Sequence, residues 1–314
     1  MDSVSNILRT RRFERSEKPR PIKITHRDIA LLTHVAEHRF ISSEQLAALD
    51  GGSEQNVRRC LKALFEHGYL DRPKAQLATI PVTGARPFVY GITRKGARLL
   101  REHGIEANTS ADWSENNKRA GSMFIDHTVA IADFLTLVQK AVSARTDVRF
   151  IDKSEILSSA PERTQRAREP MRWVAKTTID SVPTELSVIA DAMFGLEFDD
   201  GTAAYFLVEI DRGTMPVVRS RGGHTRTNYQ RKMLAYYEGW KHGRHVRQFG
   251  LKQLRILTVT TSSQRVANMV QALKEITDGN GSNLFLFIDR DTLSDGALEA
   301  AWISGRGEPV FLTE

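Results

Sequence analysis

Cysteine is almost absent from this chain: Cys60 is the only one in 314 residues. No intramolecular disulfide can form, and a cysteine-built metal site is not expected. Long apolar runs are missing too. No stretch reaches the roughly 18 residues of a membrane span, and Met1-Asp2-Ser3 leads into no apolar core of a secretory signal. No membrane partner is expected, and the cytoplasm is the expected compartment. Gly222-Gly223 lies among arginines but lacks the Gly-Lys-Ser/Thr signature, so it is not a P-loop. Internal repeats and low-complexity tracts are also lacking. What is present is a globular composition, 40% apolar, on a chain long enough for two domains that each bury a core.

Acidic residues are scarce in two places. Residues 1–110 hold 19 Lys/Arg against 12 Asp/Glu, while the remainder holds 26 of each. The whole excess of +7 therefore lies in the N-terminal part, where a polyanion would find it. Residues 212–255 hold eleven Lys/Arg against the single acid Glu238.

Residues 1–24 read as a flexible basic arm, with Arg9, Arg11, Arg12, Arg15, Lys18, Arg20 and Lys23 around Pro19 and Pro21. Residues 25–103 read as three helices, a two-stranded hairpin and a closing helix. The first helix begins at Thr25. Ser42 or Ser43 caps the second, and the third runs from a Ser53 cap to His67 before Gly68. On the third helix Val57, Cys60, Leu61 and Leu64 point inward, while Gln55, Arg59 and Lys62 face out with Arg58 on the flank. A basic and polar face over an apolar stripe suits a recognition helix in the major groove. Arg86 sits at the hairpin tip. The stretch Val89-Tyr90-Gly91-Ile92-Thr93-Arg94-Lys95-Gly96 resembles the wing-to-helix junction of bacterial winged-helix regulators, which adds Arg94 and Lys95 to the expected DNA contacts. Such modules often dimerise on palindromes, although no heptad pattern marks a homodimer interface here.

Residues 104–122 read as a linker and 123–314 as a second, α/β domain. Its pattern is a long helix from Met123 to Ala144, a strand at 148–157 and an irregular stretch at 158–185. Two strands follow, at about 186–198 and 202–211, joined by Asp200-Gly201, a favoured hairpin turn. A helix at 227–242, a strand at 254–260, a helix at 264–276 and a strand at 284–288 complete it. Period-two alternation puts Tyr205, Leu207, Glu209 and Asp211 on one face, with Phe206, Val208 and Ile210 on the other. Asp191, Glu209 and Asp211 could then supply oxygen ligands to Mg²⁺ or Mn²⁺. Lys232 would orient a water or offset transition-state charge. Arg212, Arg219, Arg221 and Arg226 would make a phosphate-binding rim. Tyr229, Lys232 and Tyr236 share a helix face, which raises a covalent tyrosyl role as a lesser alternative. His127, near Asp126 and Asp133, lacks a second histidine at metal-binding spacing and reads as a packed residue.

The element order resembles the core of PD-(D/E)XK nucleases, in which an acidic pair sits at the end of the second strand and along the third. Two positions depart from that pattern. Ala190 stands where proline is usual, and Asp211 stands where the lysine normally lies; Lys232 fits branches in which the lysine comes from the next helix. The runs Asp-Ala-Met-Phe at 191–194, Phe-Leu-Val-Glu-Ile-Asp-Arg-Gly-Thr at 206–214 and Lys-Met-Leu-Ala-Tyr-Tyr at 232–237 resemble the replication-relaxation protein family. That resemblance implies an N-terminal winged helix-turn-helix followed by a restriction-endonuclease-like α/β domain with a mixed central sheet. The implied function is DNA binding at a plasmid or mobile-element origin with metal-dependent nicking or cleavage, alongside relaxosome or replication proteins. The alternatives are a non-catalytic origin-binding or relaxosome accessory protein and a defence nuclease.

Overall fold

The computed structural model describes residues 12–78, 86–105, 116–117, 119–179, 181–218, 228–293 and 296–313. Arg9 and Arg11 of the basic arm, much of the hairpin ahead of Arg86 and most of the linker lie outside the described residues. So do Arg219, Arg221 and Arg226 of the phosphate rim. The chain divides into two compact units, Met1–Thr136 and Leu137–Glu314. The division falls inside the long helix rather than ahead of it. No helix among the described residues is long and apolar enough to cross a membrane.

The first unit builds α1 (His26–His38), β1 (Ile41–Ser42), α2 (Ser43–Asp50), α3 (Glu54–Glu66), β2 (Leu70–Asp71), β3 (Val89–Ile92) and α4 (Arg94–Glu102). Thr25 and Asp28 form a reciprocal capping box at α1, and Ser42 and Gln45 form another at α2. Ser53 precedes α3 but makes no side-chain capping bond. The strands pair antiparallel in the order β1-β3-β2. Leu31, Leu32, Val35, Leu46, Val57, Leu61 and Leu64 are fully buried beneath them. Cys60 is only half-buried, and Phe65 takes the inward place expected of it. Thr93 explains the signature that follows β3: it accepts from Gly96 N at 3.1 Å as the α4 cap and donates to Gly68 O at 2.7 Å. Gly96 cannot carry a side chain, because a Cβ there would strike the Tyr69 carbonyl.

Residues 12–24, within the expected arm, lie against this unit where Phe13 and Arg15 anchor them. Phe13 is buried edge-on against Phe88, and Arg15 donates to Phe65 O at 2.8 Å and Leu70 O at 3.0 Å. Arg72 stacks over Phe65 and Phe88, with its guanidinium carbon 4.3 and 4.4 Å from the ring centroids. It also donates to Arg12 O at 2.7 Å, fastening the segment from the other side.

The long helix is α5 (Ser122–Ser143), whose residues as far as Thr136 belong to the first unit. Gln45 Nε2 donates to Val129 O at 3.0 Å. The second unit continues with β4 (Val148–Ile151), α6 (Lys153–Ser158), α7 (Glu162–Gln165), β5 (Arg172–Ile179), β6 (Val182–Ile189), β7 (Ala192–Phe198) and β8 (Ala203–Ile210). Then come α8 (Tyr229–Lys241), α9 (Arg244–Phe249), β9 (Arg255–Thr260), α10 (Ser263–Ile276), β10 (Phe285–Asp289), α11 (Arg290–Leu293), β11 (Trp302–Ser304) and β12 (Pro309–Val310). The α/β class and mixed sheet match expectation. Seven strands run in the order β12-β11-β10-β9-β8-β7-β4, with β8, β9 and β10 parallel to one another and the flanking pairs antiparallel.

Three local expectations are corrected. The strand expected over 148–157 ends at Ile151, because Asp152 caps α6 by accepting from Ser154 N at 2.6 Å and Glu155 N at 2.9 Å. The irregular stretch at 158–185 holds α7, β5 and the start of β6. The strand expected over 186–198 is two strands, broken at Ala190-Asp191. β5 and β6 pair in an antiparallel hairpin, outside the seven-stranded sheet, that packs against α8. Trp173 is its anchor: it is fully buried, stacks near Tyr236 and Phe249, and donates to Ala235 O at 2.9 Å. Both faces of β8 are therefore buried, Phe206 against Phe194 on one and Leu207 in the Trp173 cluster on the other.

A Cβ on Gly239 of α8 would overlap the indole nitrogen of Trp173. Neither the indole nor the helix can retreat, so Gly239→Ala should destabilise the second unit by about 1–3 kcal/mol despite alanine's better helix propensity. Chemical denaturation of the two proteins measures it.

Candidate functional site

β8 is a central strand, and its C-terminal end carries Glu209 into the space beneath α8. Glu209 is 1% exposed. An isolated carboxylate cannot be left there unpaired. Two groups one helical turn apart on α8 meet it: Lys232 Nζ lies 2.7 Å from Oε2, and Tyr236 donates its hydroxyl to Oε1 at 2.6 Å. The i,i+4 spacing puts both on the face that α8 turns to the sheet. Asp191 lies just ahead of β7, held by its own amide, which donates to Val208 O at 2.9 Å. Its Oδ2 accepts from Ile210 N at 2.8 Å. The carboxylate thus occupies a place in the β7–β8 ladder, beside Glu209.

Burial raises the Glu209 carboxyl to about 7. The negative charge of Asp191 adds to the rise, and Lys232 and Tyr236 oppose it. Burial alone would push the Lys232 ammonium down; Glu209 and Asp191 outweigh it and hold the ammonium above its ordinary range. Lys232 therefore stays charged.

Asp211 is separated from this group by its own partners. It is buried and takes a bidentate fork from Arg265 of α10, with Nη2 2.9 Å from Oδ1 and Nε bonded to Oδ2. Thr260 of β9 donates to the same Oδ2 at 2.6 Å. Arg265 also holds Met215 O at 2.5 Å, so the Glu-Ile-Asp-Arg run leaves the sheet fixed to α10. The structure brings Asp191, Glu209 and Lys232 together and engages Asp211 elsewhere. Among the described residues no group of three His, Cys, Asp or Glu side chains is arranged to hold a metal ion. Two adjacent hard carboxylates remain, and Mg²⁺ is commonly held by one or two carboxylates together with substrate phosphate. The donor chemistry fits that smaller arrangement.

Tyr229 and Tyr236 are 4% and 1% exposed. Their hydroxyls are occupied, Tyr229 with Thr258 Oγ1 at 2.8 Å and Tyr236 with Glu209. Burial, reinforced by Glu209, raises both phenols well above their ordinary range. Arg212 is half-buried beside Asp211 in sequence. His127 is half-buried on α5.

In the first unit Gln55, Arg58, Arg59 and Lys62 are all exposed on the outer face of α3. Arg58 pairs with Glu54 at 2.5 Å, and Arg59 donates to Asn56. Arg94 and Lys95 are both exposed at the start of α4, and Lys95 folds back along the surface to donate to His67 O at 2.8 Å with its ammonium over the Tyr69 ring. Arg86 lies 3.8 Å from Asp126 of α5.

Sequence reasoning missed Arg265, Thr258 and Thr260, and it did not assign Tyr236 to Glu209. The signal for the threonines was their period-two placement in an otherwise apolar strand. Arg265 carries no comparable signal, because its partner is 54 residues away.

The raised Glu209 carboxyl has a definite sign in stability. The folded chain keeps that proton up to about pH 7, whereas the unfolded chain releases it near 4.5. This contribution is complete below pH 4.5 and is lost as pH rises through 7, with a size on the order of 3 kcal/mol. Glu209→Gln should flatten that part of the unfolding free energy against pH, measured by denaturant titration between pH 4 and 8.

Comparison with curated proteins and with solved structures finds no match. The family model described as replication-relaxation matches residues 32–254. That span runs from inside α1 to the residue before β9. It includes Asp191, Glu209, Asp211 and Lys232, and stops short of Thr258, Thr260 and Arg265. The match covers well over half of the chain and crosses both units, and the chain belongs to the replication-relaxation family.

Proposed function

We propose that this protein binds DNA at a replication or mobilisation origin and nicks it with the second unit. Family membership suggests a role in replication or mobilisation. The first unit would act as a winged helix, with α3 in the major groove and Gln55, Arg58, Arg59 and Lys62 toward base edges and phosphates. Arg86 and Arg94 would reach neighbouring phosphates. The second unit would act as a PD-(D/E)XK-type nuclease domain.

The observation that carries the nicking step is the meeting of Asp191, Glu209 and Lys232 at the end of a central strand. A bound Mg²⁺ or Mn²⁺ would polarise the scissile phosphate and activate a water. Asp191 and Glu209 would hold that ion. Tyr236 fixes the orientation of Glu209 through Oε1. The Ile210 amide fixes Asp191. Lys232 brings a permanent positive charge to the same spot, able to meet a phosphate oxygen as charge develops. The partners would be origin DNA and the proteins assembled there, with the cytoplasm as the place of action.

A second reading is supported by one observation: both Glu209 oxygens and both Asp211 oxygens are engaged by protein groups. In that reading the second unit is a scaffold in an accessory origin-binding protein.

Supercoiled origin-bearing plasmid with Mg²⁺ or Mn²⁺ separates the two. The nicking reading predicts conversion to open circle by the wild type and at least a hundredfold slower conversion by Asp191→Asn and Glu209→Gln. Plasmid that is bound tightly but stays supercoiled with either metal would leave the scaffold reading standing. For the first unit, Arg59→Ala should weaken origin binding by roughly 5- to 100-fold and relax specificity at one position. An unchanged footprint would remove α3 from recognition.

A further inference from the structure

A second surface of the Leu137–Glu314 unit, formed by α7, the end of α8 and α9, combines a ring platform with unpaired cations. Trp240 is 37% exposed, unusually open for a tryptophan. Its ring is nearly parallel to that of Tyr237 (22°) and that of His245 (21°), with centroids 6.3 and 6.4 Å away. Face-to-face contact would bring atoms to about 3.5–4 Å, so these rings are offset sideways and form a tread. His245 is buried, and burial, with Arg247 adding to it, lowers its pKa against the pull of the Lys252 carbonyl. The imidazole backs the tread as a neutral ring.

Arg244 and Arg247 lie one turn apart on α9. Arg244 is positioned by Gln248 Oε1 at 2.8 Å and by Arg172 O at 3.2 Å. α7 packs on α9, where Thr164 bonds the Gln248 carbonyl, and it brings Arg163 to the same side. Burial and then the charges of Arg247 and Arg163 lower the Arg244 pKa, with Glu185 opposing. The other acids here are engaged: Glu238 with Lys241, Glu162 with Arg166, and Glu169 with Arg172. Arg163, Arg244 and Arg247 form no ion pair with a carboxylate among the described residues. Three clustered guanidinium groups, with only the unbonded charge of Glu185 set against them, are mutually repulsive, and a polyanion relieves that.

We infer that Trp240, Arg163, Arg244 and Arg247 form a single-strand DNA-binding surface, the indole stacking a base while the guanidinium groups hold the flanking phosphates. An exposed flat ring beside spaced cations suits a strand whose bases are unpaired; a duplex hides its base faces and needs no platform. The inference deepens the origin-acting reading by giving the second unit its own hold on a melted strand, separate from duplex recognition by α3.

The test is fluorescence anisotropy of the full chain with labelled oligo(dT) and, separately, with a duplex of equal length. Trp240→Ala should weaken oligo(dT) binding roughly tenfold and leave duplex binding within twofold. Trp240→Phe, which keeps a ring, should restore most of the loss. The exposed pair Arg163→Ala/Arg247→Ala should reduce the slope of log affinity against log salt by about 1.4, for two lost phosphate contacts at about 0.7 each. Failure of the wild type to bind oligo(dT), or an equal loss on both DNAs in every variant, overturns the inference. Binding of polyglutamate but not oligo(dT) at this surface overturns it in favour of an acidic protein partner. In each case duplex binding through α3, read with Arg59→Ala, stands or falls by itself.

Discussion

One buried carboxylate organises the second unit. Glu209 sits at the end of a strand flanked on both sides by others, where water cannot solvate it, and its charge is tolerable only because α8 brings an ammonium and a phenol to it. That demand reaches outward. Tyr236 must be buried to reach Oε1, and its ring then packs beside Trp173. Trp173 needs the absent side chain at Gly239 and a carbonyl partner at Ala235. The β5–β6 hairpin is in turn the element that carries Trp173. A chain of ordinary packing requirements thus runs from one charge to an entire flanking layer.

Asp211 shows the other solution to the same problem. Two residues further along, a second acid is buried and receives a complete bidentate arginine fork with a threonine hydroxyl. A fork–fork pair is geometrically rigid, so this acid serves as a rivet between the end of β8 and the start of α10. Glu209 is paired with a more adaptable ammonium on a long stem. Burial leaves the Glu209 carboxyl titrating at about 7.

Much of the element plan was legible in the sequence, and the reasons are local. Capping residues at Thr25, Ser42 and Thr93 and apolar periodicity mark helices to within a residue or two, whereas the Asn228 cap of α8, which accepts from Arg231 N, is seen only in the structure. The Asp200-Gly201 turn marks the β7–β8 hairpin. Legibility failed where tertiary context decides. β5 and β6 alternate, with Trp173 and Ala175 inward on one strand and Leu186 and Val188 on the other, but Arg172, Lys176 and Pro183 among them hide the pattern. The nearness of Asp191, Glu209 and Lys232 could be read from strand ends and helix spacing. The burial of Glu209 could not, because it depends on α8 being held down by the β5–β6 hairpin. The engagement of Asp211 could not be read either, since it depends on an arginine from a helix beyond the next strand.

Lys232 and Tyr236 grip the two oxygens of one carboxylate from successive turns of α8, and that fixes the helix's rotational phase as well as its position. One residue inserted after the Asn228 cap and before Lys232 would turn both groups by about 100°, the angle per residue of a 3.6-fold helix, and swing them away from the strand. A residue added ahead of the cap leaves the phase untouched. The interval from Asn228 to Tyr236 is therefore bound to its length by an angular constraint, even where individual side chains along it are free to change.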